Sequence, residues 1–97
     1  MKPEHEALWF AVRARDGGLC VQCDEEGRKT LAECVHHIVH RSLYAEERIW
    51  RPENLISLCS QCHRGADAKA MRSKHLGWLA KRYGYCYDGE RPWSGYL

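Results

Sequence analysis

Cys20-Val21-Gln22-Cys23 and Cys59-Ser60-Gln61-Cys62 form two Cys-x-x-Cys knuckles, separated by the stretch from Asp24 to Leu58. Each knuckle presents two thiolates on one side of a tetrahedron. Two of them complete the closed four-sulfur site that a structural Zn2+ prefers. Such an ion ties together segments far apart in the chain and stabilises a fold whose apolar core is small. The competing uses are disulfides, or a redox knuckle, which needs a βαβ setting that the sequence does not contain. Cys59-Ser60-Gln61-Cys62-His63 also has the form of a c-type haem attachment site. The second knuckle and the opening MKPEHEALWF, which lacks the apolar stretch of an export signal, argue against haem. Cys34 and Cys86 have no such partner and are expected to be buried, inert thiols.

The stretch ECVHHIVH, from Glu33 to His40, adds His36, His37 and His40. On an extended strand neighbouring side chains leave on opposite faces, so His36 and His37 do not grip one ion together. If this strand packs on the helix that follows the second knuckle, His36 and His63 reach one ion from two elements. His37 then departs in another direction. A metal-free imidazole titrates near ~6.5, in the range that suits a general base. Two imidazoles on a metal with open positions, beside a third poised as base, form a hydrolytic arrangement. Adjacent histidines also occur without a function, and His40 reads as a surface residue.

The elements that position these groups follow from pattern and punctuation. Pro3 suits a first helical turn, and Leu8, Ala11, Val12 and Arg15 keep helical spacing, with the Arg15 stem able to cover apolar surface. Asp16-Gly17-Gly18 stops that helix, predicted over 4–15. Asp24 to Lys29 is a polar turn, and Leu31 to Val39 reads as a strand. His40 to Pro52 is a long loop, and Asn54 to Cys59 a second short strand. Ser60 is the expected N-cap of a helix from Gln61 to Arg72 or beyond, although Gly65 weakens it. Leu76, Leu79, Ala80 and Tyr83 mark a further helix that Gly84 ends, followed by an aromatic tail expected to pack back on the domain.

At 97 residues the chain fits one small domain, 1–97. It contains no run near the ~20 apolar residues of a membrane span. Its cysteine usage suits a reducing compartment, so a cytoplasmic place is expected, with no membrane partner. Residues 1–40 carry five Lys/Arg against seven Asp/Glu, and residues 41–97 carry ten against six. The basic excess therefore follows the histidine cluster, as a phosphate-binding face requires, although a solvated surface has the same composition.

Three segments, RDGGLCVQC, AECVHHIV and PENLISLCSQCH, together resemble the HNH endonucleases, specifically the small zinc-stapled type of bacteria and phages. The resemblance runs from about Trp9 to Arg72 and leaves the C-terminal helix and tail, 73–97, uncovered. It implies an α+β fold of the ββα-metal kind, here with an N-terminal helix and an extra C-terminal helix and tail. By position, His36 and His63 are similar to the ligands of the catalytic metal and His37 to the general base. Asn54 matches the residue whose amide pins the long loop. The implied activity is metal-dependent hydrolysis of DNA with 5′-phosphate products. One site per chain predicts nicking by a monomer or weak homodimer, and no base-reading helix is visible, so sequence preference is expected to be weak. Arg41, Arg48, Arg51, Arg64, Lys69 and Arg72 are candidates for backbone phosphate contacts.

Two departures from the family pattern matter. Many members carry Asp at the position of His36, and many carry Lys soon after the final Cys-His, where this chain reads Arg64-Gly65-Ala66-Asp67-Ala68-Lys69. Two imidazole ligands suit nitrogen-tolerant ions better than Mg2+, so Mn2+ is the expected catalytic metal, with Ni2+ or Mg2+ as alternatives. The rival reading is a zinc-stabilised nucleic-acid-binding module whose histidines are structural.

Overall fold

The computed structural model describes residues 2–39 and 49–86. The first helix, α1 (Pro3–Arg15), has proline at its start, Glu4 and Glu6 in its first turn, and Arg13 and Arg15 in its last. These charges complement the helix dipole at both ends. The chain leaves it through Gly17 and Gly18, whose φ values of 68° and 73° are left-handed and favour glycine. The apolar face of α1 is narrower than its spacing predicts: Val12 is buried, but Ala11 is exposed and Leu8 only half-buried.

What fastens α1 is polar and lies at its C-terminal end. The Asp16 carboxylate accepts from both sides of the Arg15 guanidinium (2.9 and 3.0 Å), from the Ser57 backbone N–H (3.1 Å) and from the Tyr83 hydroxyl. Arg15 also donates to the carbonyls of Pro52 and Leu55, each at 2.7 Å. Arg15 is thus a joint between parts of the fold, because its fork can bond several acceptors at once, and its guanidinium also lies over the Tyr83 ring, 4.6 Å from the centroid.

Cys20 follows, and its sulfur caps the single helical turn α2 (Val21–Glu25). Strand β1 (Cys34–His37) pairs antiparallel with β2 (Leu55–Leu58), setting Cys34 opposite Leu58 and His37 opposite Leu55. The first strand is shorter than the Leu31–Val39 run predicts. Leu31 makes an isolated bridge to Leu19, and the Ala32 N–H donates to Gly18, so these residues are tied to the turn after α1 instead of to β2. Asn54 sits in a 3-10 turn (Pro52–Asn54) that leads into β2.

After β2 comes α3 (Ser60–Arg64), with Cys59 in the capping position expected for Ser60. The helix does not continue to Arg72. It ends at Gly65, and Ala66 turns into the core, fully buried. Glycine is a weak helix former, and the buried alanine anchors the change of direction. A separate helix, α4 (Lys69–Tyr83), then runs to Gly84, whose φ of 76° closes it as predicted. Lys81 and Arg82 of α4 pair with Glu25, and Arg82 also with Asp24, which orients α4 on α2.

The result is the expected α+β architecture, a two-stranded sheet packed with helices. Its core joins Val21, Ile38, Ile56, Leu58, Ala66, Leu76 and Leu79 to the four knuckle cysteines. Cys34 is half-buried, its thiol pushed up chiefly by burial, whereas Cys86 is exposed, contrary to expectation, because it lies beyond the end of α4. No helix among the described residues is long and apolar enough to cross a membrane. His40, Arg41, Arg48 and the tail 87–97 lie outside the described residues.

Asp16→Ala removes one partner from a buried ion pair and strands the Ser57 N–H. It should cost roughly 3 kcal/mol, read as a lower urea midpoint with an unchanged slope.

Candidate active site and metal centre

The thiols of Cys20, Cys23, Cys59 and Cys62 converge from the segment after α1 and from the junction of β2 with α3. They are buried, and their sulfurs all lie within 4.8 Å of one another. Cys23 Sγ stands 3.8 Å from Cys59 Sγ and 3.7 Å from Cys62 Sγ. A disulfide would require about 2.05 Å. A tetrahedron of sulfurs around Zn2+ at about 2.3 Å has edges of ~3.8 Å, which is the spacing found.

The chemistry of the set agrees with its geometry. The Cys23 thiol is held down to about 7, first by the Thr30 side chain and then by Arg28, while burial pushes the Cys20 and Cys62 thiols up. Four thiolates crowded out of water repel each other, and a divalent cation at their centre removes that cost. The Cys23 N–H also donates to Cys20 Sγ at 3.4 Å, the kind of outer bond that fixes a ligating sulfur. A cleft lined by Gln22, Cys23, Arg28, Gln61 and Cys62, among others, opens beside these thiols and not at the histidines.

The histidines form a second, looser centre. His36 is buried on β1, His63 is exposed on α3, and their rings lie 5.0 Å apart, centroid to centroid. Two imidazoles sharing an ion at about 2.1 Å, roughly 90–110° apart, have centroids ~4.6–5.3 Å apart. A ring separation of 5.0 Å is compatible with one divalent ion between strand and helix. Asp67 adds an oxygen donor nearby, its Oδ1 3.9 Å from His36 Nε2. Among the described residues, only the four thiols form a set of three or more ligand-type groups whose donor atoms all lie within 4.8 Å. The histidine centre is more open.

His37, one residue along the strand, is half-buried and meets the Trp50 ring edge-on, centroids 4.5 Å apart. Asn54 is fully buried and ties together both ends of the loop between the strands. Its Oδ1 accepts from the Val39 N–H (2.8 Å), and its Nδ2 donates to the carbonyls of Val39 (3.1 Å) and Ile49 (3.0 Å). Arg64 and Lys69 are exposed on either side of the turn after His63, and Arg51 and Arg72 are half-buried.

Sequence pattern singled out neither Trp50 nor His75. His75 is fully buried on α4, its ring 6.2 Å from that of His36 and its Nε2 3.0 Å from Gln22 Oε1. Its spacing with Leu79 marks the core-facing side of a helix, a signal that was available. Trp50 carries no such signal, since its position depends on where the loop returns.

A family model for HNH endonuclease matches residues 20–69. Among solved structures, the HNH endonuclease of the deep-sea thermophilic bacteriophage GVE2, crystallised with manganese ion, is similar. It shares 35% identity at a TM-score of 0.63, over 74% of this chain and 77% of that one. None of the curated proteins matches.

Two outcomes test these centres. Zinc in such a site supplies an apparent ~10 kcal/mol or more of folding energy, as large as the whole net stability of a small domain. Exhaustive chelation, or Cys62→Ser, should therefore remove one bound zinc per chain, by elemental analysis, and unfold the protein by circular dichroism. The second concerns His75, whose pKa burial lowers from 6.5 to about 4. Between those values the unfolded chain binds the proton that the folded chain refuses. The stability from keeping this ring neutral is thus complete above pH ~6.5 and is lost as pH falls toward ~4. His75→Gln should flatten the fall in denaturation midpoint across that window.

Proposed function

The chain belongs to the HNH endonuclease family and is a nuclease; on that premise we propose that it hydrolyses phosphodiester bonds in duplex DNA, one strand at a time, with little sequence preference. The observation that carries this reading is the His36–His63 ring pair at 5.0 Å, with His37 leaving the same strand beside it. His36 and His63 would hold a divalent ion there, which would supply positive charge to offset the charge that develops on the scissile phosphate.

The remaining steps belong to the chain's own side chains. His37 accepts a proton from water as the water oxygen attacks phosphorus in line. The bond from phosphorus to the 3′ oxygen breaks, and the departing oxygen takes a proton from solvent, leaving a 5′-phosphate and a 3′-hydroxyl. Asn54 keeps the loop closed behind the base through Val39 and Ile49. Arg51, Arg64, Lys69 and Arg72 are suited to backbone phosphates, which position DNA without reading its sequence. Arg41 and Arg48 remain candidates of the same kind.

Two imidazole ligands favour Mn2+ over Mg2+, and the similar phage enzyme was crystallised with manganese ion. One centre per chain suits a monomer or weak homodimer that nicks. A tetrathiolate zinc site suits a reducing compartment such as the cytoplasm.

Incubation with supercoiled plasmid across divalent metals tests the reading. Open-circular DNA should appear before linear DNA, and faster with Mn2+ than with Mg2+. His37→Ala should lower cleavage at least ~100-fold with zinc content and melting unchanged. Undiminished cleavage by that variant removes His37 from the chemistry. Absence of cleavage by the unaltered protein with any metal, but with DNA bound, favours the zinc-stabilised binding module.

A further inference from the structure

Rings from three separate segments meet at one place. Trp50 stacks face to face on His5 of α1, centroids 4.1 Å apart and planes within 5°. The same indole meets His37 perpendicularly, at 4.5 Å and 85°. His5 lies outside the residues matched by the family model, so this backing is contributed by the N-terminal helix.

We infer that Trp50, backed by His5, is the positioning residue that holds the His37 ring in its reactive orientation. The inference rests on the proposed role of His37 as base. Strand pairing with Leu55 fixes the His37 backbone, and the edge-on contact with Trp50 bears on the rotamer of its side chain. A base must be held within a narrow range of angles about the attacking water, and something must occupy the alternative space.

Trp50 is fitted for that because its own backbone is fastened on both sides by one residue. The Asn54 side chain donates to the carbonyl of Ile49, just before Trp50, and the Asn54 backbone N–H donates to that of Arg51, just after it. Asn54 therefore sets the backbone, the backbone sets Trp50, and Trp50 sets the ring of the base. His5 closes the other face of the indole. The perpendicular contact between Trp50 and His37 is a favoured aromatic geometry.

Single-turnover and steady-state cleavage by the full chain in Mn2+ tests this. Trp50→Ala should lower kcat about tenfold or more with KM for DNA changed less than about twofold, since misplacing a catalytic group acts on the chemical step. Trp50→Phe, which keeps a ring, should recover most of kcat, and His5→Ala should give a smaller loss. The His37 ring-proton resonance should shift in Trp50→Ala and move back in Trp50→Phe.

An unchanged kcat in folded Trp50→Ala overturns the inference. A rise in KM alone also overturns it, and makes Trp50 a DNA contact. If Trp50→Ala does not fold, Trp50→Phe and Trp50→Leu are compared, and equal kcat for that pair overturns it. His37→Ala separates the two levels: if it cleaves normally the base assignment falls, and this inference with it. If it is inactive while Trp50→Ala keeps its kcat, only the role of Trp50 falls.

Discussion

Convergence of four buried sulfurs is the constraint on which the other parts of the molecule depend. Cys20 and Cys23 sit where α1 gives way to α2, while Cys59 and Cys62 sit where β2 gives way to α3. Holding these two places within one coordination sphere fixes the end of α1, the start of α3 and the line of β2 between them. The thiols are also members of the hydrophobic core, not appendages to it. A metal bound here takes the place of apolar volume that a chain this short does not have.

Around that staple, polar groups rather than apolar ones decide how the outer elements sit. Arg15 and Asp16 join the end of α1 to the carbonyl of Pro52, to β2 and to Tyr83 of α4. The Asp16 carboxylate is almost fully buried, so loss of either partner leaves an uncompensated charge. The pairs between α4 and α2 are different in kind. They are partly solvated and contribute orientation more than stability.

Strand geometry separates two neighbouring imidazoles, His36 and His37. Alternation along β1 sends His36 inward, at 4% exposure, and His37 to a half-buried position against Trp50. A one-residue slip of β1 against β2 would exchange their surroundings. The register is held by four cross-strand pairs and extended by the bonds from Asn54 to Ile38 and Val39. A buried amide at the end of the sheet thus guards the difference between the two histidines.

Much of this was legible in the linear sequence, because it lives in local patterns. Knuckle spacing announced the sulfur site, adjacent histidines on a strand announced divergent side chains, and glycines marked the ends of α1 and α4. The misread elements have physical reasons. The Ser60 helix breaks at Gly65, a weak point visible in the sequence, but the burial of Ala66 that follows depends on long-range packing. The first strand is short because Ala32 bonds Gly18, a partner chosen by the turn after α1. Arg15 became a joint because two carbonyls from a distant segment, those of Pro52 and Leu55, meet it beside the carboxylate of neighbouring Asp16. By itself, then, the sequence determined the four-cysteine cluster and the kind of fold built around it, since these depend on residue type and short-range spacing. Only the tertiary structure decided that His63 faces His36 at 5.0 Å, that buried His75 lies beside His36, and that His5 stacks on Trp50 while Trp50 meets His37 edge-on. Those relations arise from long-range packing, in which the partner of each side chain is set by where other segments return.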